Sequence, residues 1–218
     1  MSSTSVVVVD LGMGNVRSVI RSLRESVGGD VDVELSSNPD VIRAASRIVV
    51  PGQGAFRDAS TALQGSIGDV LRERITARVP YLGICLGLQV LFEGSDEAPG
   101  APGLGVIPGK VALLAATEGR PAEEKLKLPH MGWNQVDAHG PSELAASLHG
   151  QPWFYFVHSF HAVPDDRSVV AGTCTHGAAE VVAAVATANI WATQFHPEKS
   201  DRAGLELLRR FLTQNVVR

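Results

Sequence analysis

Cys85 has the clearest chemical prospects of any residue in this 218-residue chain. It lies in "PYLGICLGLQVLFE", residues 80 to 93, where a strand-like apolar run gives way to a helix-like one. Gly83 and Gly87 stand two positions to either side. This is the cysteine counterpart of the G-x-S-x-G nucleophile elbow, in which small flanking residues let a strand and the next helix pass closely while the nucleophile sits on a strained turn. Free N–H groups and the positive dipole end at the helix start favour a thiolate there. Free cysteine more often serves as a small buried apolar side chain. Here the paired glycines and the strand-to-helix change favour a nucleophile.

A nucleophile needs a base. Of the seven histidines, His196 in "WATQFHPEKS" comes with an orienting carboxylate, Glu198, two positions on. In an extended chain residues i and i+2 project to one side about 7 Å apart at Cα, so Glu198 is expected to reach the imidazole. Pro197 is expected to end the strand. Cys85, His196 and Glu198 then act as nucleophile, general base and acid, and the group that sets the imidazole tautomer. His158 and His161 in "HSFH" are expected to be structural, since residues three apart on a strand face opposite ways and no cysteine or carboxylate cluster joins them. No metal site is expected. Cys174 in "GTCTHG" is expected to pack in the core.

Attack on a carbonyl creates an alkoxide that needs backbone donors. "IVVPGQGAF" supplies a Pro-Gly turn between a buried strand and a helix, so one donor is expected from Gly52 or Gln53 and another from Leu86, the residue after the nucleophile. A different reading attaches to "DLGMGNVRS", where Gly12 and Gly14 suggest a dinucleotide loop. Arg17 stands where the third glycine belongs, so a dinucleotide is set aside.

These residues must be positioned by the surrounding elements. "SVVVVDLGMGNVRSVIRSL" reads as strand, glycine turn and helix. "DVDVEL" and "ASRIVVPG" repeat the strand signal, and one long helix is expected from about Phe56 to Arg78. Alternation of this kind argues for a parallel sheet covered on both faces. The second half is richer in strand-like segments, among them "GVIPGKVALLAA", "EEKLKLPHMGWNQVDA", "PWFYFVHSFHAV", "SVVAGTCTHG" and "EVVAAVATANIWATQFHPE", so antiparallel pairings are expected there. A final amphipathic helix carries Leu205, Leu208, Phe211 and Leu212 on one face. "GSDEAPGAPGLG" reads as a surface loop. The expected fold class is α/β, with a mixed, largely parallel sheet flanked by helices and an antiparallel extension, all in a single domain spanning 1–218.

A net charge of −4 gives no basic field for nucleic acid. Two cysteines do not make a disulfide framework, and read as reduced thiols. "MSSTSVVVVDLG" lacks a basic leader, and no apolar run approaches a membrane span. A soluble, cytoplasmic protein is expected.

By motif and relative position, "GICLGLQ", "PGQGAF" and "QFHPEKS" resemble the class I, triad-type glutamine amidotransferases across nearly the whole chain. The resemblance implies a flavodoxin-like fold, hydrolysis of glutamine through a cysteinyl thioester, no cofactor, and transfer of ammonia to a synthase. It implies that Gln89, Ser159 and Phe160 hold the glutamine. "DLGMGNVRSV" and "KLPHMGWNQV" further resemble the glutaminase subunits of imidazole glycerol phosphate synthase, of histidine biosynthesis. In that family the partner in the heterodimer is a (β/α)8-barrel cyclase that makes imidazole glycerol phosphate and AICAR. Asn15, Met131, Trp133 and Lys199 are then expected on or near the face that meets the barrel. Gln53 departs from the family's more usual Val, Leu11 from an aromatic, and Phe160 from Tyr. Rival readings are a subunit of another synthase, such as those of anthranilate or pyridoxal phosphate synthesis, a cysteine hydrolase acting alone, and a catalytically silent interaction module.

Overall fold

The computed structural model describes residues 5–28, 31–114 and 126–214. The valine run near the N-terminus forms β1 (Ser5–Val9), and the glycine turn after it leads into α1 (Val16–Ser26). Next come β2 (Asp32–Ser36), α2 (Pro39–Ala44) and β3 (Arg47–Gly52). α2 was not foreseen, although Asn38 caps it and Pro39 opens it. The helix expected over 56–78 is two helices, α3 (Phe56–Ala62) and α4 (Ser66–Thr76), because the chain turns at Gly65 with a φ of 76°. β4 (Tyr81–Cys85) then runs straight into α5 (Leu86–Gln89), a single turn.

The second half comprises β5 (Gly109–Leu113), β6 (His130–Gln135), β7 (Asp137–Ala138), α6 (Glu143–Ala146), β8 (Trp153–His158) and β9 (Phe160–Pro164). It ends with β10 (Val170–His176), β11 (Ala179–Ala186), β12 (Ile190–Thr193) and α7 (Asp201–Thr213). The run "PWFYFVHSFHAV" is two strands, not one. The chain leaves its pairing at Ser159, and β8 and β9 join different two-stranded ribbons, β6-β8 and β5-β9. The "EEK" of the expected strand before β6 and the "AA" after β5 lie outside the described residues.

The main sheet has the order β2-β1-β3-β4-β12-β11-β10-β7. Its first five strands are parallel and its last three antiparallel, the expected mixed sheet with its extension. Alternate residues of β1 enter separate apolar clusters, Val7 and Val9 in one and Val6 and Val8 in the other, so both faces of the sheet are buried. Phe56 of α3, Leu63 at its C-terminal cap and Leu71 of α4 fill the first cluster. Val19 and Leu23 of α1 and Leu207, Leu208, Phe211 and Leu212 of α7 fill the second. Leu207 takes the place expected of Leu205, which is only half-buried. The loop 94–105 is more than a surface excursion, because Ala98, Ala101 and Leu104 are buried in the first cluster. Among the described residues, no helix is long and apolar enough to cross a membrane.

Candidate active site

The carboxyl ends of the parallel strands carry the chemistry, as the loops of open α/β sheets generally do. β4 lies between β3 and β12, and the register places Gly52 opposite Cys85 and Thr193 opposite Ile84. One step beyond Thr193 comes Gln194, then Phe195 and His196. Three strand ends thus converge on one sulfur.

Cys85 has a φ of 53° and ψ of −102°, a strained conformation for a residue with a Cβ. The flanking glycines are sterically required. A Cβ on Gly83 would lie 2.4 Å from the Gly87 carbonyl oxygen, and one on Gly87 would lie 1.7 Å from the Val50 carbonyl oxygen. The buried Tyr81 hydroxyl donates to that same Gly87 oxygen at 2.8 Å, which pins the turn. The elbow expected from G-x-C-x-G is present. Its helix is a single turn, so local N–H groups at the turn matter more than any macrodipole.

His196 Nδ1 and Glu198 Oε1 are 2.8 Å apart, with side chains 1% and 3% exposed. The means of pairing differs from expectation. His196 is extended and bridges to Tyr155, but Pro197–Lys199 form a turn of 3₁₀ helix, opened by the proline, which folds Glu198 back onto the ring. His196 is pushed up to about 9. Burial, the strongest single influence, pulls it down, and the neighbouring Cys85 sulfur and Glu198 carboxylate together outweigh it. His196 Nε2 is buried and has no hydrogen-bond partner among the described residues.

A cavity of about 410 Å³ opens over the sulfur and is lined by Cys85, Leu86, Gln53, Gln89, Ser159 and Phe160 among others. All three residues expected to hold glutamine are therefore on its wall. Gln89 Nε2 donates to the Phe160 carbonyl at 3.1 Å and to Gln194 Oε1 at 3.3 Å. The loop at Gln53 is pressed from the far side by "DLGMGN": Gly14, at a φ of 87°, approaches so closely that a Cβ there would lie 3.0 Å from Gln53 N. This close approach is the physical reason for the second glycine that suggested a dinucleotide loop.

Two residues of the site escaped the sequence reading, Gln194 beneath the sulfur and Glu97 on the cavity wall. Gln194, fully buried, donates from Nε2 to Cys85 Sγ at 3.5 Å. Its signal was a lone carboxamide in an apolar run, "IWATQF". Glu97 lines the cavity from the 94–105 loop and accepts from the Phe56 N–H at 3.0 Å. Nothing in that Gly/Pro-rich stretch marked it. Cys174 is buried as expected, and its thiol is pushed up to about 12, first by burial and then by the Asp137 charge. Among the described residues no cluster of three or more His, Cys, Asp and Glu could hold a metal ion.

Of the expected docking residues, Met131 and Trp133 project from β6 and are 62% and 50% exposed. Lys199 lies with its Nζ 5.5 Å from the centroid of Tyr155, whose strand pairs with β6 and whose ring meets Trp133 edge-on. Asn15 is exposed at the start of α1, where its side chain caps the helix, and α1 packs against the turn that carries Lys199.

The chain matches the family model for glutamine amidotransferase class-I over residues 7–215, and it belongs to that family. Two solved structures share its fold. One is described as a glutamine amidotransferase, with a TM-score of 0.70, 20% identity and coverage of 95% of this chain and 97% of that one. The other is PurLQS from Thermotoga maritima, with a TM-score of 0.71, 16% identity and coverage of 96% and 95%. Within the family the chain groups with imidazole glycerol phosphate synthase subunit HisH. It is 46% identical to that of Nitrosococcus oceani over 214 residues, covering 98% of this chain and 99% of the relative. It is 43% identical to that of Synechococcus elongatus over 215 residues, covering 98% and 94%.

Proposed function

We propose that this chain is the glutaminase subunit of imidazole glycerol phosphate synthase, a cytoplasmic enzyme of histidine biosynthesis, and that a (β/α)8-barrel cyclase is its partner. The observation that carries the chemistry is the convergence of Cys85, on a strained elbow at the wall of one cavity, with the buried His196–Glu198 pair beside it. Full-length identity to HisH proteins favours this synthase over others that share the triad.

In this reading the Cys85 proton passes to His196, and the thiolate attacks the side-chain carboxamide carbon of glutamine. The oxyanion is met by N–H groups of Leu86 and of the Gly52-Gln53 turn. His196 then protonates the leaving nitrogen, ammonia departs, and a γ-glutamyl thioester remains. Water, deprotonated by His196, attacks the thioester to release glutamate and restore the thiol. Glu198 holds Nδ1 protonated throughout. Gln89, Ser159 and Phe160 hold the substrate, and the Glu97 carboxylate is the charge on the cavity wall suited to its α-ammonium.

Ammonia is protonated in neutral water and is then no nucleophile, so a shielded path to a second active site is required. Met131 and Trp133 supply an exposed apolar face for such a partner, with Asn15 and Lys199 at its margin. Mixing the chain with the cyclase, its nucleotide ligand and glutamine tests the proposal. Glutamate release is expected to rise with cyclase present. A chain that hydrolyses glutamine equally well alone would be a free-standing hydrolase instead.

A further inference from the structure

Two buried histidines, His130 on β6 and His158 on β8, take no part in the chemistry above, yet they are hydrogen-bonded to each other at 2.9 Å between His130 Nδ1 and His158 Nε2. Their outer nitrogens are also engaged. His158 Nδ1 is 2.9 Å from the Phe160 carbonyl oxygen, and His130 Nε2 is 3.2 Å from Asn134 Nδ2. The proton positions in this chain follow from its two ends. The Phe160 carbonyl can only accept, so His158 carries its proton on Nδ1. Neutral His158 then accepts at Nε2, so His130 donates from Nδ1 and accepts at Nε2.

The other end agrees independently. Asn134 Oδ1 accepts from the Gln135 N–H at 2.9 Å and Asn134 Nδ2 donates to the Thr175 carbonyl at 2.8 Å, which fixes the amide with its nitrogen toward His130. Donation therefore runs one way, from Asn134 through His130 and His158 to the Phe160 oxygen. A second proton on either ring would set one N–H against another N–H. The chain is also stiff, since His130 is stacked between Phe156 and His176 with ring centroids 4.6 and 4.3 Å away. Both rings are pulled well below the usual imidazole value, His130 to about 4 and His158 to about 3, by burial first and then by the neighbouring imidazoles.

We infer that Asn134, His130 and His158 are positioning residues that tie the docking strand β6 to the wall of the glutamine cavity. At one end of the chain, Asn134 sits beside Trp133 on the strand that presents Met131 and Trp133 outward. At the other end, the Phe160 oxygen also accepts from Gln89 Nε2, and His158, Phe160 and Gln89 all line the cavity. Movement of β6 on docking would be passed to the cavity wall through hydrogen bonds that cannot reverse without breaking. This rests on the reading of the cavity as the glutamine site and of β6 as the docking strand.

Two measurements test it. In ¹⁵N-labelled full chain at pH 7, long-range ¹⁵N–¹H spectra are expected to show both rings neutral and protonated on Nδ1, the less common tautomer of free histidine. An Nε2–H tautomer or an imidazolium at either ring overturns the chain. The second uses Asn134→Asp, which removes the donor at a residue outside the cavity. His130 and His158 are both expected to move their protons to Nε2, which removes the donor to the Phe160 oxygen, and the KM for glutamine of the cyclase complex is expected to rise about 3- to 10-fold, the size of one net hydrogen bond, with kcat changed less. A tautomer that moves while KM stays within 2-fold overturns the positioning role. If the wild-type complex releases no glutamate, the functional reading fails while the tautomers still report on the chain.

Discussion

The hydrogen bond to Cys85 Sγ comes from Gln194, at 3.5 Å, whereas His196 Nε2 has no hydrogen-bond partner among the described residues. The register of β12 against β4 explains why: Gln194 follows Thr193, which is level with Ile84, so its carboxamide arrives beside the next residue of β4, the nucleophile. Because Gln194 Oε1 accepts from Gln89, the same carboxamide joins the sulfur to the substrate wall. Gln194→Leu, which keeps the volume and removes the donor, is expected to lower glutamine turnover about 10- to 100-fold, the size of a hydrogen bond to a charged group. Steady-state glutaminase assays of the cyclase complex check this. Unchanged kcat would leave Gln194 as core packing.

Cys85→Ala and His196→Ala are each expected to abolish glutamine-driven synthesis and to leave synthesis from ammonium salts intact, because the proposed cyclase partner would need only ammonia. Glu198→Gln is expected to be milder, since orienting the base counts for less than supplying it. Parallel assays with the two nitrogen sources separate a chemical defect from a docking defect. Loss of both activities would mark a folding or docking defect, and retained glutamine-driven synthesis in either alanine variant would argue against the assigned triad roles.

The two thiols are expected to differ sharply towards a small electrophile. Cys174 is 2% exposed, and with its thiol pushed up to about 12 it is thiolate to roughly one part in 10⁴ at pH 8. Iodoacetamide is expected to add one equivalent to the native chain and none to Cys85→Ala, as counted by intact mass. A labelled Cys85→Ala protein would contradict the buried setting of Cys174.

How far the sequence carried the fold is best judged from particular residues. Gly83, Cys85 and Gly87 were legible because the pattern itself lies within five residues, although only the contact that forbids a side chain at Gly83 is local and the one at Gly87 is with Val50 of β3. The parallel half was legible for a similar reason, since the β-branched runs of β1 and β3 are buried on both faces. What failed depends on distant partners. Ser159 divides one apolar run into β8 and β9 because β6 and β5 lie elsewhere to receive them. Glu198 reaches His196 through a 3₁₀ turn, where extended geometry was expected. Glu97 enters the cavity because Ala98, Ala101 and Leu104 bury its loop. The chain from Asn134 to Phe160 joins three strands, and no spacing within any one of them reveals it.

The raised value of His196 has a consequence for stability. A histidine near 6.5 when unfolded and about 9 when folded contributes stability that is fully present below pH 6.5 and is lost as the pH climbs through 9. Glu198→Gln removes one cause of the rise. The mutant is therefore expected to be less stable than wild type by about 1–3 kcal/mol at pH 6, with the gap closing towards pH 9.5. Urea unfolding of both proteins at the two pH values measures it. A gap that stays constant would mean that Glu198 acts through packing alone.

Trp133 is the strongest candidate for an anchor in the partner interface. It is 50% exposed and stands beside Met131, which is 62% exposed, on a strand held by backbone pairing to β8. Large exposed aromatics on a rigid strand lose little freedom on docking, and residues of this type dominate binding energies. Trp133→Ala is expected to weaken association with the cyclase by about 2 kcal/mol, roughly 30-fold in Kd, as titration calorimetry would report. Because the indole also packs edge-on against Tyr155, at 6.1 Å between ring centroids, a conservative variant separates contact from support. Trp133→Phe keeps an aromatic ring against Tyr155 and is expected to recover most of the affinity. Equal affinities for wild type and Trp133→Ala would move the docking face away from β6.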